Sequence, residues 1–362
     1  MSTQNSNIQI VKTNYSTGEE DSQILIVAEL TEEIPVIENT GEILVDISSS
    51  GKMRNWSEKK KMNRELVEVL KSFRNIYPEL LSSSRLNQVE NCANYLKYGI
   101  TQEGVKRLVD ANFCRFKFCP ICVWRKSLKM FSQVSAVTEV LNREYPSARY
   151  IFVTLTVRNV RAEELSETID RLNEGFKYLV QKSRTVSDTK IFKESLLGYI
   201  KAMEITYNKK TKEYHPHIHV VFHLKSSYFG KNYIKQSQWV KIWASMMGLD
   251  YEPLVDVKAI KKIDSDKGIV AEIAKYPIKT SDLMSIKDRE EQIEVLYTFL
   301  SSTYHRRFVT FGGTFREAKR ELALDDVETG SLVHVESDSE KLMNYISYEL
   351  YRYNFKFGCY VC

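Results

Sequence analysis

The sequence contains no apolar run that approaches the roughly 18 residues of a membrane-spanning helix. Its N-terminus also lacks the pattern of a secretory signal peptide. Cysteine is scarce, with six residues among 362, and histidine is equally scarce, with six. These absences argue against a membrane protein and against a disulfide-rich secreted one. We therefore expect a cytoplasmic protein, in which thiols stay reduced and clustered cysteines indicate a metal site.

Basic residues are almost missing from the N-terminal segment. Residues 1–50 carry nine acidic side chains and one basic one, Lys12, a balance of −8. Since the whole chain carries +5, the remainder carries +13. A basic body with an acidic arm favours a nucleic-acid binder, although +13 over the remaining 312 residues also fits an ordinary soluble surface. Residues 1–55 are rich in Ser, Thr, Asn and Glu, which predicts a poorly ordered tail.

Four of the six histidines lie within nine residues, HPHIHVVFH, between His215 and His223. All four positions (215, 217, 219 and 223) are odd, so a strand would place these histidines on one face. Ile218, Val220 and Phe222 would then lie on the opposite, buried face. Because neutral imidazole is the commonest protein metal ligand, the row is a candidate metal site. The alternative is a strand whose histidines contact solvent or one another.

A predicted hairpin brings a carboxylate to this row. If the turn in NKKTK centres between Lys210 and Thr211, Glu204 lies directly opposite His217 and shares its face. Two imidazoles and a carboxylate with open coordination positions suit a divalent ion such as Mn²⁺ or Mg²⁺. A shift of the turn by one residue would move Glu204 to the other face.

The segment EIAKY, from Glu272 to Tyr276, places a carboxylate and a phenol four residues apart, on one face of a helix. Pro277 disfavours helical geometry at the preceding residue, which puts Tyr276 near the helix end. Lys275 and Lys279 could neutralise charge at a reacting phosphate there. Taken alone, EIAKY is an ordinary helical fragment.

Four cysteines have the spacing C-x21-C-x4-C-x2-C, which is typical of a tetrahedral structural zinc site: Cys92, Cys114, Cys119 and Cys122. The alternative is a group of buried reduced thiols. Basic residues alternate with aromatic ones around the cluster. We expect DNA contacts from four of them, Arg115, Lys117, Arg125 and Lys126, unless these side chains pack around the metal instead.

The periodicity predicts an α+β protein whose central part has the order β-α-β-β-α-β, the ferredoxin-like split-βαβ plan, an antiparallel sheet with helices over one face. The predicted elements are a strand at 150–157, a helix at 162–181, strands at 199–207 and 214–224, a helix at 236–247, a strand at 253–260 and a short helix at 267–276. The predicted regions are an acidic tail (1–55), a helical zinc-binding and DNA-binding region (56–145), the sheet domain (146–285) and a mixed C-terminal region (286–362).

Four segments together resemble those of plasmid rolling-circle replication initiators (Rep proteins) of the HUH endonuclease superfamily. HPHIHVV resembles the His-hydrophobic-His motif, FVTLTV (Phe152–Val157) the first motif, and EIAKY the Glu-x-x-x-Tyr motif. CRFKFCPICVWRKSLK is similar to the segment that precedes the nuclease domain in one Gram-positive plasmid group. The resemblance spans roughly Cys92 to Asp282 in order.

The resemblance implies an HUH nuclease domain that nicks one strand of the plasmid origin. His217 and His219, with His215 as the alternative, would bind the divalent metal. Tyr276 would attack the scissile phosphate to give a 5′-phosphotyrosine and a 3′-OH primer, and Glu272 would activate water at termination. The expected partners are origin DNA and, by resemblance, a host helicase and the replication machinery, with no membrane.

Two other functions remain open at this point. One is a zinc-containing DNA-binding regulator without nuclease activity, in which the histidines are structural. The other is a metal hydrolase that cleaves phosphodiesters with water and leaves the 5′ end free.

Overall fold

The computed structural model describes residues 35–48, 51–181, 189–260, 270, 273, 280–335 and 344–362. The architecture is α+β, as predicted. The described helices are α1 (Trp56–Ile76), α2 (Ser83–Glu90), α3 (Pro120–Glu144), α4 (Ala162–Val180), α5 (Lys190–Ser195), α6 (Gln236–Met247), α7 (Thr280–Met284), α8 (Arg289–Ser302) and α9 (Thr314–Glu321). The described strands are β1 (Val36–Ile37), β2 (Tyr95–Thr101), β3 (Lys106–Ala111), β4 (Arg149–Thr156), β5 (Leu196–Asn208), β6 (Glu213–Leu224), β7 (Val255–Ile260), β8 (Val309–Gly313), β9 (Tyr345–Asn354) and β10 (Cys359–Val361). Among the described residues, no helix is both long enough and apolar enough to span a membrane.

One sheet, which we call the histidine sheet, has the strand order β7-β4-β6-β5-β8, and all its neighbours are antiparallel. The two central strands, β4 and β6, follow from alternation. Ile151 and Val153 of β4 and Ile218, Val220 and Phe222 of β6 are buried on one side. The β5–β6 turn has the register predicted from NKKTK, with Glu204 opposite His217. The side chain of Asn208 stabilises this turn by accepting a hydrogen bond from the Lys210 N–H (2.9 Å).

Helices cover both faces of the histidine sheet. The two helices of the predicted β-α-β-β-α-β order, α4 and α6, lie on one face, in agreement with the prediction, and helices outside that order, α3 and α9, cover the other. On the side of Phe222, α4 and α6 supply the packing, with Phe222 ring centroids 6.1 Å from Phe176 and 6.0 Å from Trp239. On the histidine side, residues of α3 and α9 bury Phe152 and Val221. Helices are needed on both sides because β4 and β5 carry apolar side chains on both faces of the sheet. Each apolar face is buried by its own layer of helices.

The second sheet joins the two ends of the chain, and we call it the terminal sheet. Strand β9 pairs antiparallel with β2 and β10 and parallel with β1, and β2 pairs antiparallel with β3. The region 56–145, predicted to be helical, therefore also contains the β2–β3 hairpin. The β2–β9 pairing joins distant parts of the chain, with Leu96 opposite Tyr351, and local periodicity does not reveal it.

Part of the predicted N-terminal tail belongs to this fold. Residues 35–48 include β1 and the buried carboxylate of Asp46. Asp46 accepts hydrogen bonds from Trp56 Nε1 (2.7 Å), Tyr98 OH (2.8 Å) and Arg54 (2.8 Å). A buried carboxylate with three donors ties the segment to α1 and β2, so the prediction of a poorly ordered tail does not hold for residues 35–48. Residues 1–34 lie outside the described residues.

The segment that follows α9, residues 325–333, packs along α3. Lys126 Nζ is 2.5 Å from a carboxylate oxygen of Glu328, and Lys129 Nζ is 2.5 Å from one of Asp325. Arg125 donates hydrogen bonds to two carbonyl oxygens of the same segment, at 2.9 and 2.7 Å. These buried cations of α3 are thus neutralised or hydrogen-bonded by the C-terminal part of the chain.

Candidate metal centres

Glu204, His217 and His219 bring three potential ligand atoms together on the histidine sheet. The Nε2 atoms of the two histidines are 3.1 Å apart, and Glu204 Oε2 is 3.4 Å from His217 Nε2 and 3.3 Å from His219 Nε2. Adjacent ligands of an octahedral ion, each about 2.1 Å from the metal, are about 3.0 Å apart. The observed triangle therefore has the dimensions of one face of a coordination octahedron.

The Nδ1 atoms of both histidines are held by protein groups. His217 Nδ1 lies 3.2 Å from the carbonyl oxygen of His215, which can only accept, so that nitrogen carries the proton. His219 Nδ1 lies 3.1 Å from the hydroxyl of Thr154, and its ring stacks on Phe152 at a centroid distance of 5.6 Å. With Nδ1 engaged in this way, Nε2 is the free ligand atom.

This chemistry fits a divalent cation. If Nδ1 of His217 carries the proton, its Nε2 atom is a bare acceptor directed at a second ring nitrogen and a carboxylate. Acceptors at such distances need a proton or a cation between them. Glu204 and His217 are 6% and 8% exposed, so water can satisfy them only in part. The three residues can therefore hold a metal ion, and their oxygen and nitrogen atoms leave its identity open among Mg²⁺, Mn²⁺ and similar ions.

The other two histidines of the row have separate surroundings. The Nδ1 atom of His215 lies 2.9 Å from Asn159 Oδ1, and among the described residues His215 is not part of the metal-binding group. His223 is fully buried, stacks on Tyr150 at 4.9 Å and contacts the Thr314 hydroxyl at 2.9 Å. Burial lowers the pKa of His223 to about 4. Of the four histidines, the geometry thus brings His217 and His219 together with Glu204.

The four cysteines Cys92, Cys114, Cys119 and Cys122 form a second group. The Sγ–Sγ distances are 3.6 Å for Cys92–Cys122 and Cys92–Cys119 and 3.7 Å for Cys114–Cys122. Four sulfurs placed tetrahedrally about 2.3 Å from a zinc ion are about 3.8 Å apart. The cluster thus has the size of a four-cysteine metal site, and the reduced thiols come from the ends of the β2–β3 hairpin and the start of α3.

Backbone and side-chain donors surround these sulfurs, as thiolate ligands require. Arg115 has a positive φ of 58°, which directs its N–H to Cys122 Sγ at 3.1 Å. Asn63 Nδ2 lies 3.5 Å from Cys119 Sγ. Burial raises the pKa of Cys119, but hydrogen bonds with the neighbouring thiols outweigh it and lower that pKa well below its usual value. A thiol that ionises readily beside three others suits metal binding.

Lys60 is a buried cation beside the cluster. Its ammonium group donates to the carbonyl oxygens of Glu90 (3.0 Å) and Cys92 (2.7 Å), and the residue is fully buried. Burial lowers the pKa of Lys60, while the charges of Cys92 and Cys119 raise it. A positive charge here offsets part of the negative charge of four thiolates.

The basic residues expected to contact DNA have unequal surroundings. Arg125 and Lys126 are 3% and 2% exposed and contact the segment 325–333. Lys117 donates to the carbonyl oxygen of Thr303 (2.5 Å), and burial lowers its pKa. Arg115 is exposed and donates to the carbonyl oxygen of Thr329. In this arrangement the charges of Arg125 and Lys126 are directed at protein oxygens and away from solvent.

Four predicted site residues lie outside the described residues: Glu272, Lys275, Tyr276 and Lys279. Two positions of the same segment are described. Val270 and Ile273 are helical and buried in the cluster that also contains Phe152.

Sequence reasoning missed Thr154, Asn63 and Lys60, which orient ligands or neutralise them. Thr154 could have been found from the β4–β6 register, because it lies directly opposite His219. Asn63 and Lys60 lie on α1, far from the cysteines in sequence, and no local pattern singles them out.

Residues 105–361 match the replication protein family Rep_1. A protein named Protein rep from Streptococcus pneumoniae is 36% identical over 309 residues, which cover 84% of this chain and 91% of that protein. A Protein rep from Bacillus amyloliquefaciens is 35% identical over 324 residues, covering 85% and 93%. A Replication protein from Staphylococcus aureus is 34% identical over 211 residues, covering 56% and 86%. No solved structure gives a significant match.

Proposed function

Because this chain belongs to the Rep_1 family of replication proteins, we propose that it initiates rolling-circle plasmid replication as a site-specific, metal-dependent DNA nickase. Membership in this family agrees with the resemblance found in the sequence. The observation that carries the proposal further is the convergence of Glu204, His217 and His219 on one face of the sheet. A structural role for the histidines would not require three ligand atoms within hydrogen-bond distance of one another.

The strand order supports an HUH nuclease fold. Strands β4, β5, β6 and β7, numbered one to four along this part of the chain, have the spatial order four-one-three-two, and α4 and α6 follow the first and third. This order supports the proposed ferredoxin-like split-βαβ arrangement. In it, the two central strands, β4 and β6, present Thr154 and the histidines side by side.

A divalent cation held by Glu204, His217 and His219 would polarise the non-bridging oxygens of the scissile phosphate. Zinc in the four-cysteine cluster would be structural, since all four positions are filled by protein. A basic cleft beside the histidines, lined by Asn159, Thr206, Tyr207, Asn208, Lys209, Lys210 and His215, offers a path for the phosphate backbone of the DNA.

Tyr276 is the proposed nucleophile. Its phenolic oxygen forms a bond to phosphorus while the bond from phosphorus to the 3′ oxygen breaks. The phenol loses its proton and the departing 3′ oxygen gains one, so the products are a 5′-phosphotyrosine and a 3′-OH. What supports this residue is the burial of Ile273, three positions earlier, in the cluster with Phe152, whose ring stacks on His219.

Glu272 is proposed to act at termination. A carboxylate at this position can take a proton from water as the water oxygen bonds to phosphorus. The bond from phosphorus to the Tyr276 oxygen then breaks, that oxygen takes a proton, and the protein is released. Tyr276 serves initiation in this scheme and Glu272 serves termination.

The test is to incubate the protein with single-stranded DNA from its own origin and Mn²⁺, and then to separate products under denaturing conditions. We expect a nick with a free 3′-OH and a protein–DNA adduct that survives denaturation. DNA binding without any nick would favour the regulator alternative. Cleavage that leaves a free 5′ phosphate and no adduct would favour hydrolysis by water.

A further inference from the structure

The outer face of the terminal sheet carries tyrosines and cations. Alternation along β9 directs Tyr351 and Tyr353 inward, where they are 1% and 5% exposed. Tyr345 and Tyr348 are partly exposed, and a register shift between Ile100 and Thr101 puts Tyr345 on the same face as Tyr348. The Tyr-rich stretch therefore divides into two tyrosines in the core and two on the surface.

Cross-strand pairing places basic side chains beside the two outer tyrosines. Gly99 of β2 lies opposite Tyr348 on one side and opposite Arg107 of β3 on the other, so the three share a face. Lys97, two residues before Gly99 and on the same face, holds its ammonium group 4.2 Å from the centroid of the Tyr348 ring. The positive charge of Arg107 also reaches Tyr345. We name these four side chains, Lys97, Arg107, Tyr345 and Tyr348, the tyrosine platform.

Gly99 explains how the ring of Tyr345 lies flat on β2. A Cβ atom at position 99 would be 2.4 to 2.7 Å from three ring atoms of Tyr345. Nearly equal distances to several ring atoms mean that the ring lies face-on over the glycine, which leaves its other face away from the strand. The centroid of the Tyr348 ring is 5.9 Å from that of Tyr345, and the two ring planes are tilted by 47°. Two aromatic rings are thus held at fixed places before any ligand binds.

The neighbours of the tyrosine platform leave it accessible. The extensive contacts of β2 are with β3 and β9, and no described helix packs extensively on these strands from the outer side. Asp110, the carboxylate opposite Lys97, accepts a hydrogen bond from Tyr95 OH (2.9 Å). Lys97 and Arg107 make no ion pair with described residues, so their charges are available to an anionic ligand.

We propose that the tyrosine platform binds single-stranded DNA, with bases stacked on Tyr345 and Tyr348 and phosphates at Lys97 and Arg107. Stacking needs the flat faces of unpaired bases, which a duplex does not present, and cations beside the rings match the phosphate that joins two bases. This site lies on a different sheet from Glu204, His217 and His219. It rests on the proposed function, because a nicking initiator produces and holds a single strand at the origin.

The experiment measures binding alone, so that failure of nicking and failure of this site give different results. A fluorescein-labelled oligothymidylate of about 12 nucleotides is titrated with the full chain in buffer without Mg²⁺ or Mn²⁺. Fluorescence anisotropy gives the dissociation constant for Tyr345→Ala, Tyr348→Ala and Lys97→Gln. The Tyr→Phe variants keep the ring, and Tyr304→Ala, at a tyrosine that is 72% exposed elsewhere, is the matched control.

Each Tyr→Ala change should weaken single-strand binding about tenfold, which is about 1.4 kcal/mol, because it removes the ring on which one base stacks. The Tyr→Phe variants and Tyr304→Ala should bind like the parent protein, and a hairpin duplex of equal length should show no difference between Ala variants and parent. Equal binding by the Ala and parent proteins overturns the proposal. The proposal is also overturned if the Ala variants lose as much affinity for the duplex as for the single strand. A third contrary outcome is a parent protein that is a dimer by light scattering and that dissociates in Tyr348→Ala.

Discussion

Glu204 lies directly opposite His217 in the β5–β6 ladder, and its Oε2 atom is 3.4 Å from the Nε2 atom of that histidine. Because opposed residues of an antiparallel pair share a face, strand pairing itself brings the carboxylate to the imidazoles. A slip of one residue would separate them. The candidate metal centre therefore depends on the turn that sets this register.

Glu204→Gln should raise the Mn²⁺ concentration needed for half-maximal nicking by at least about tenfold, because the neutral amide is a weaker ligand than the carboxylate. The measurement is a metal titration of nicking on a short single strand. Glu317→Gln, at an exposed position of α9, is the matched control and should leave the titration unchanged. An unchanged titration for Glu204→Gln would remove this residue from the metal centre.

The sequence was informative where the determining contacts are local. The turn between Lys210 and Thr211 follows β5 and precedes β6 immediately, so counting from it gave the Glu204–His217 pair correctly. The spacing of Cys119 and Cys122 likewise predicted the cluster, because both lie in the first turn of α3, where Cys119 is the N-cap.

Contacts between distant parts of the chain could not be read in this way. Strand β2 pairs with β9, and Lys126 pairs with Glu328, 202 residues away. A lysine beside aromatic residues looks the same in sequence whether its charge meets phosphate or a carboxylate from the far end of the chain. The burial of Lys126 thus became visible only in the structure.

Thr154→Val should weaken metal binding about tenfold, because it removes the hydroxyl that holds His219 Nδ1 at 3.1 Å while keeping the side-chain shape. Thr156→Val is the matched control, since Thr156 lies opposite His217 as Thr154 lies opposite His219, but its hydroxyl donates to the Leu254 carbonyl oxygen (2.8 Å). Isothermal titration with Mn²⁺ measures both variants. Equal affinities in the two variants would contradict the role of Thr154 in orienting His219.

Cys119→Ser should lower the zinc content of the purified protein from about one ion per chain towards zero and lower its thermal midpoint. A hydroxyl does not replace a thiolate in a four-sulfur site. Cys359→Ser, at a partly exposed cysteine outside the cluster, should retain its zinc. Metal analysis by mass spectrometry, combined with thermal unfolding, tests both variants. A parent protein without zinc would refute the assignment.

His223→Gln should make stability less sensitive to acid. Burial lowers the pKa of His223 from 6.5 to about 4, so between these values the unfolded chain binds the proton and the folded one does not. The contribution of the neutral His223 side chain to the free energy of unfolding is therefore complete above pH 6.5. It falls as the pH is lowered towards 4, by up to about 1.4 kcal/mol per pH unit. Urea unfolding at pH 7 and pH 5 should therefore differ less in His223→Gln than in the parent protein. His334→Gln, at an exposed histidine, should match the parent.

Tyr276→Phe and Glu272→Ala should separate initiation from termination. Tyr276→Phe removes only the nucleophilic oxygen, so both the nick and the covalent adduct should disappear while DNA binding is retained. Glu272→Ala keeps the nucleophile and removes the base that activates water. Initial nicking should survive, whereas termination should slow by about 10²–10⁴-fold and multimeric single strands should accumulate.

Peptide mapping of the adduct decides the assignment of Tyr276. Tyr345 and Tyr348 are the rival nucleophiles, because they lie in a Tyr-rich stretch. Burial raises the pKa of Tyr345, which makes its phenolate scarcer still. Since both tyrosines lie on the terminal sheet and the candidate metal ligands lie on the histidine sheet, the adduct should be absent from both. DNA attached at either position would refute Tyr276 as nucleophile, and an adduct lost equally in the Glu272 and Tyr276 variants would refute their division of roles.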